Sequence, residues 1–328
     1  MRHIALLGAG FSRNWGGFLA DEAFGHLIGC REVQDDPAAR AALLRRKDNG
    51  GFEAALADMQ AAYLHRKGPT EKASLDRLQS AIRTMFADMD KGFADTRFEP
   101  QNYIAFLVRS FLVRFDAIYS LNQDCLTEIH YLNDNIQFGS PGKWNGWQLP
   151  GMRPLPDPNR HPLDKAPLKW TPEPTQFHLD DKRQPFVKLH GSHNWVTNDG
   201  EQLLILGANK SATIASHDVL RWYFELYENE LSEPVKLMII GYGFRDPHIN
   251  KVLLDCARNR HLKLFLVDPL GARALDQNNN TRGGAIYVRS ELDEVLSPTL
   301  IGTSNRPLIA TFNDDRIEHA KLMRFFAS

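Results

Sequence analysis

The sequence predicts an α/β protein in which a parallel sheet carries helices on both faces and a smaller helical lobe is inserted into the chain. Three observations point there. Short apolar runs, His3–Leu7, Asp116–Leu121, Phe186–Leu189, Val235–Ile240 and Leu262–Val267, read as buried strands. Helical apolar spacing recurs between them, and strands alternating with helices favour a parallel sheet. A stretch with helical spacing and no strand pattern, residues 36–93, forms the lobe.

The elements follow in order. His3–Leu7 leads into Gly8-Ala9-Gly10-Phe11-Ser12, a strand passing through a glycine turn into a helix. Asp36 is placed to cap a helix with Pro37 in its first turn, and Asn49-Gly50-Gly51 breaks that helix. Phe52–His65 and Ser74–Met89 continue the helical lobe, and Tyr103–Phe115 is a strongly apolar helix. The strand Asp116–Leu121 ends in Asn122-Gln123-Asp124. Residues 135–185 are expected to be packed but irregular, because ten of the chain's 18 prolines fall between Pro141 and Pro185, with Trp144, Trp147 and Trp170. Phe186–Leu189 is a strand ending at His190-Gly191, and Asp218–Leu231 is a helix. Val235–Ile240 ends in Gly241-Tyr242-Gly243; a helix starts at Asp246 with Pro247 in its first turn; Leu262–Val267 ends at Asp268.

Composition narrows the function classes. The chain has 328 residues, 43% hydrophobic and 24% charged, enough for one large domain with a sizeable core. A formal net charge of -1 gives no basic footprint for direct nucleic-acid binding. The three cysteines, Cys30, Cys125 and Cys256, include no C-x-x-C pair, so a four-cysteine zinc site is excluded and a reducing compartment is expected. The N-terminus lacks the apolar region and cleavage site of a signal peptide, and no run is long enough to span a membrane, so the expected location is cytoplasmic.

The predicted strands share one property: each ends in glycines or small polar residues. Ligands of open α/β sheets bind outside the carboxyl ends of the strands, so these clusters are expected to face one crevice. Gly8 and Gly10 would let backbone approach a pyrophosphate, and a following helix N-terminus would add N–H groups and a positive dipole end. Ser12 could donate a further bond. The third glycine of the dinucleotide fingerprint is missing, since Arg13-Asn14-Trp15 follows. Asn122 and Asp124 suit either a ribose or amide contact or a plain turn. His190 suits a general base or a structural role. Asp268 suits a ribose contact or a cap. His190 and His193 are spaced H-x-x-H, but with no carboxylate or cysteine near them in sequence no metal site is expected.

Taken together and in this order, Gly8-Ala9-Gly10-Phe11-Ser12, Asn122-Gln123-Asp124, Lys188-Leu189-His190-Gly191 and Gly241-Tyr242-Gly243-Phe244 resemble the sirtuin family. The wording of Gly241 to Asn250, and Phe52-Glu53-Ala54-Ala55-Leu56 after a glycine pair, look like the bacterial sirtuin-like branch of anti-phage defence. The four-cysteine zinc module of the deacetylases is absent. The resemblance implies a Rossmann-like fold over residues 1–328 and NAD+ as substrate, with no metal. It further implies a glycohydrolase releasing nicotinamide and ADP-ribose. An NAD-dependent protein deacylase and a non-catalytic nucleotide sensor remain alternatives.

By the same resemblance, Asn122 would orient the attacking water, Asp124 would bond the carboxamide, and His190, near its free pKa of about 6.5, would act as base. Gly8, Ala9, Gly10, Phe11 and Ser12 would hold the pyrophosphate, and Gly241, Gly243 and Asp268 the adenosine half. The resemblance further implies a homo-oligomer, a partner such as a short Argonaute or a translocase-type ATPase, or both. The helical lobe and the Pro/Trp-rich segment are the candidate interfaces.

Overall fold

The computed structural model describes residues 1–95, 103–132, 143–159, 167–207, 209–276 and 289–327. In chain order, strand β1 (Arg2–Leu7) leads into α1 (Ala9–Arg13), and the helices α2 (Ala20–Gly29), α3 (Arg31–Gln34), α4 (Pro37–Arg46), α5 (Gly51–Arg66), α6 (Pro69–Asp95) and α7 (Tyr103–Leu112) follow. Next come β2 (Ala117–Ser120), β3 (Trp147–Gln148), β4 (Met152–Pro154), β5 (Trp170–Pro172), β6 (Gln184–Lys188), β7 (Gly191–Val196) and β8 (Gln202–Leu204). The chain continues through α8 (Lys210–Ser216), α9 (Asp218–Ser232), β9 (Val235–Ile240), α10 (Pro247–Arg258), β10 (Leu262–Val267), α11 (Glu291–Leu296), β11 (Leu300–Ser304), α12 (Leu308–Asn313) and α13 (Arg316–Met323).

Seven strands form one sheet in the order β11-β10-β9-β1-β2-β6-β3, and every pair in it is parallel. This is the Rossmann-like α/β fold expected from the sequence. The central strands are apolar along their length because a parallel sheet covered by helices buries both faces; the last four residues of β1, all of β2 and the last four of β9 and β10 are buried. From β1 the chain builds outward to β2 and β6 on one side, then returns to β9 and builds outward to β10 and β11 on the other. The order therefore reverses between β1 and β9, where such folds open a crevice at the strand ends.

The reversal point is closed by glycine. Gly8 N–H donates to the Ile240 carbonyl at 2.9 Å, and Gly10 N–H to that of Gly241 at 2.9 Å. A Cβ on Gly8 would stand 2.5 Å from the Gly241 oxygen, and one on Gly241 would stand 2.4 Å from Gly10 Cα. Gly241 also has φ +63°, a conformation that side chains resist. The glycines are thus required by each other's backbone.

The helical segment runs continuously from Ala20 to Asp95, beginning earlier than residue 36 because α2 and α3 precede the expected start. Asp36 caps α4 as expected, its carboxylate accepting from Ala39 N–H at 2.9 Å with Pro37 in the first turn. In α6, Leu75, Leu78, Ile82, Met85, Phe86, Met89 and Phe93 recur at helical spacing on the buried side, and α6 packs on α5 and α3. Part of the segment 135–185 lies outside the described residues. Its described part is more regular than the prolines imply: β3 extends the main sheet, and β4 and β5 join β7 and β8 in a second, four-stranded sheet. Two-residue and three-residue strands escape any periodicity reading, and β11 escapes it through an apolar pattern too weak to register. Gly191, at φ +67°, turns the chain from β6 into that second sheet, and a Cβ there would stand 2.2 Å from the Leu203 oxygen.

Gly241→Ala is expected to cost at least about 2 kcal/mol, since it adds a backbone clash to a positive φ. Gly243→Ala, with nothing within 4 Å of the new Cβ, is expected to change stability by no more than about 0.5 kcal/mol. Denaturant unfolding of the two variants measures this; equal midpoints would contradict the proposed packing.

Candidate functional site at the carboxyl ends of the strands

The glycine turn, the Asn122-Gln123-Asp124 turn and the Gly241 loop meet at the reversal point. Asn122 follows β2 and is buried. Its Nδ2 donates to the Gly8 carbonyl and to Ser12 Oγ, both at 3.0 Å. Ser12 Oγ donates in turn to Asp124 Oδ1 at 3.0 Å, which also accepts from Leu126 N–H at 3.1 Å. The structure therefore joins Gly8, Ser12, Asn122 and Asp124 in one hydrogen-bonded chain across more than a hundred residues of sequence. Burial raises the Asp124 pKa, although Lys188, Leu126 N–H and Ser12 pull it down.

The expected phosphate loop differs in two respects. The helix after Gly8 is only five residues long, so its dipole is small. The N–H groups of Gly8, Gly10 and Phe11 are already bonded within the protein, to Ile240, Gly241 and Gly8 carbonyls. Ala9 N–H, at the first helical position, has no acceptor among the described residues.

His190 is fully buried just after β6, in a setting the sequence did not reveal. Its Nε2 lies 2.9 Å from His248 Nε2. A backbone hydrogen bond at Leu121 also engages the ring. The expectation of a pKa near 6.5 is corrected: burial, then the Lys210 charge, push His190 down to about 3, so it is neutral at physiological pH. Burial also lowers the His248 pKa.

Beside this pair stands Asp246, at the head of α10. Its carboxylate accepts from Lys210 Nζ at 2.8 Å, and Lys210 also reaches Glu53 Oε2 at 2.7 Å. Burial opposes ionisation of Asp246, but the Lys210 ammonium, by its charge and its hydrogen bond, holds the carboxyl below the ordinary value. Glu53 lies in the Phe52–Leu56 stretch that the sequence singled out without a role. The Gly241–Asn250 stretch folds back on itself: Tyr242 Oη accepts from Asp246 N–H at 3.0 Å and donates to Asn250 Oδ1 at 2.9 Å. Phe244 takes a positive φ of 54° between them.

Two further residues shape the site. Lys188 has no exposed side chain, and its Nζ donates to the Asp124 carbonyl at 2.7 Å, Glu128 Oε1 at 2.6 Å and Ser192 Oγ at 2.7 Å. Burial works against its charge, yet Glu128 and its acidic neighbours raise its pKa, so it pins the Asn122–Asp124 turn as a cation. Asp268 follows β10, and its Oδ1 accepts from Leu270 N–H at 2.8 Å, the turn geometry its residue type favours. Gly243 faces open space. His190, Asp246 and His248 also present donor atoms within 4.8 Å of one another, but Lys210 already occupies Asp246 and opposes a cation there. Among the described residues, no helix is long and apolar enough to cross a membrane.

The His190 pKa has a measurable consequence. The unfolded chain takes up a proton on this residue below about 6.5, whereas the folded chain does so only below about 3. Stability is therefore fully present above that window and falls as pH is lowered through it, by up to about 1.4 kcal/mol per pH unit from this residue. Unfolding free energies between pH 4.5 and 7 should depend less on pH in His190→Gln; an unchanged slope would refute the buried, neutral imidazole.

Comparison with known proteins bears on this geometry. No curated protein matches the chain. Residues 152–283 match the SIR2-like domain, a span that carries His190, Gly241, Gly243 and Asp268, while Gly8, Ser12, Asn122 and Asp124 precede it and are hydrogen-bonded to it or to one another. Residues 152–283 are thus similar to the SIR2-like domain, and they lie on a Rossmann-like sheet.

Proposed function

We propose that the protein is an NAD+ glycohydrolase, converting NAD+ and water into nicotinamide, ADP-ribose and a proton. The observation that carries this reading is the meeting of Asn122, Ser12 and Asp124 with the Gly8–Gly241 contact at the β1/β9 reversal. The SIR2-like match supports it.

The chemistry asks little of the protein beyond placement. The departing pyridinium already carries positive charge, so it leaves as neutral nicotinamide without an acid. The ribose becomes oxocarbenium-like, and catalysis consists of holding the two halves and admitting a water to one face. Asn122, with Nδ2 committed to Gly8 and Ser12, has its orientation set and presents Oδ1 for the water. Asp124 binds the carboxamide. A water adding to an oxocarbenium ion is strongly acidic, so a weakly basic acceptor suffices. His190, neutral and with its Nε2 facing a replaceable imidazole, fits that task. Ala9 N–H and the Gly8–Ser12 turn serve the pyrophosphate; Gly241, Gly243 and Asp268 serve the adenosine half.

Unchecked loss of NAD+ would harm the host, so the enzyme must be held inactive until needed. We therefore read it as a regulated effector of bacterial anti-phage defence. Self-association, or a partner such as a short Argonaute or a translocase-type ATPase, would control it through the helical lobe or the Pro/Trp-rich segment.

Nicotinamide release, followed by chromatography with and without an acyl-lysine peptide, tests the reaction. Asn122→Ala and His190→Ala are each expected to lower the rate about a hundredfold or more with the fold retained. Wild-type turnover in either variant, or strict dependence on the peptide, would overturn the assignment. In Asp268→Ala the KM for NAD+ should rise while kcat at saturation holds; an unchanged KM would remove Asp268 from the adenosine contact.

A further inference from the structure

A second cluster lies behind the Asn122–Asp124 turn, and the proposed hydrolysis does not use it. Asp90 comes from α6, Cys125 follows Asp124 directly, and His193 lies in β7. Asp90 and Cys125 are buried, and the His193 side chain is 11% exposed. Their donor atoms all lie within 4.8 Å of one another. His193 Nε2 is 2.6 Å from Asp90 Oδ2 and 3.3 Å from Cys125 Sγ.

We propose that Asp90, Cys125 and His193 form a three-ligand site for a thiophilic divalent cation, best matched by zinc. One ring nitrogen faces both a carboxylate oxygen and a sulfur, and it has only one proton or one lone pair to offer them. A cation at the centre takes all three at once. Sulfur, imidazole nitrogen and carboxylate oxygen are the donors zinc uses. Bond lengths of about 2.0–2.3 Å would set tetrahedral ligands roughly 3.2–3.8 Å apart. The nitrogen–sulfur distance already fits, and the nitrogen–oxygen pair, now at hydrogen-bonding distance, would open by roughly 0.7 Å. Three protein ligands leave a fourth position for water on the partly exposed His193 side.

The surrounding charge favours a cation. Asp90, Asp124 and Glu128 are buried together with one compensating ammonium, Lys188, and both Asp90 and Glu128 act on Cys125. The His190 cluster differs, since Lys210 already fills it. Burial, with those carboxylates, keeps Cys125 a thiol when no ion is bound. Binding therefore exchanges the S–H proton for a metal–sulfur bond and releases that proton. The sequence hid this site: His193 has no ligand-type neighbour within a C-x-x-C or H-x-x-E pattern, and its partners lie 103 and 68 residues away.

The bound ion would have a positioning effect. Cys125 N–H donates to Asp90 Oδ1 at 3.1 Å, so α6 already touches the turn that carries Asn122 and Asp124. A metal bond from Asp90 to Cys125 would fasten the helical lobe to that turn.

Cobalt titration of chelator-treated, full-length protein tests the proposal. About one equivalent should bind, with a near-ultraviolet sulfur-to-cobalt charge-transfer band that zinc abolishes by displacement. Cys125→Ser should lose the band, and His193→Ala and Asp90→Asn should weaken binding at least tenfold, with far-ultraviolet circular dichroism unchanged. Cys30→Ser and His248→Ala should bind as the wild type does. Absence of the band in the wild type would overturn the site even if no variant folds. A band that survives Cys125→Ser, or that disappears in His248→Ala, would also overturn it.

Discussion

The contact between the Gly8–Gly10 turn and Gly241 is the constraint on which the rest of the site depends. Two strand ends come so close that a single Cβ on either side would lie about 2.5 Å from opposing backbone. This closeness follows from topology: β1 and β9 are adjacent parallel strands whose connections leave in opposite directions. It fixes the carbonyl of Gly8, and through that carbonyl the amide of Asn122. From Asn122 the order passes to Ser12 and Asp124.

A second anchor works from below. Lys188, buried among oxygens, ties the Asp124 carbonyl to Glu128 and Ser192. Breaking a buried pair of this kind is costly because the remaining charge has no solvent, about 3–5 kcal/mol. The Asn122–Asp124 turn is thus gripped from three directions: the glycine contact, the lysine, and Asp90 of α6 on Cys125 N–H. A turn that sequence alone could assign to ordinary chain reversal is thus held by groups from three distant parts of the chain.

The electrostatics divide the strand ends into two regions. Around Asp124 the buried charge is predominantly acidic. Around His190 the Lys210 ammonium bridges the carboxylates of Glu53 and Asp246, and two imidazoles share a hydrogen bond. One region suits a cationic or amide-bearing group, and the other keeps an imidazole neutral. Glu53 contributes to this from α5, so the helical lobe reaches the His190 region through an ion pair as it reaches the Asp124 region through Asp90.

The sequence determined the architecture because periodicity and strand-end chemistry are local. Val235–Ile240 and Leu262–Val267 were legible to the residue as apolar runs between turn signals, and Asp36-Pro37 announced its helix. The same local reading placed Gly8, Asn122, His190 and Gly241 at strand ends, but it could not show which groups stand against them. A Cβ on Gly8 or Gly10 would meet the backbone of Gly241, and their N–H groups bond to carbonyls of the protein. Only the tertiary structure could bring His248 to His190, Lys210 to Asp246, Lys188 to the Asp124 carbonyl, and Asp90 and Cys125 to His193. Each of these depends on which strands become neighbours, and burial, which moves the His190 pKa to about 3, is a property of the packed molecule that no stretch of sequence carries.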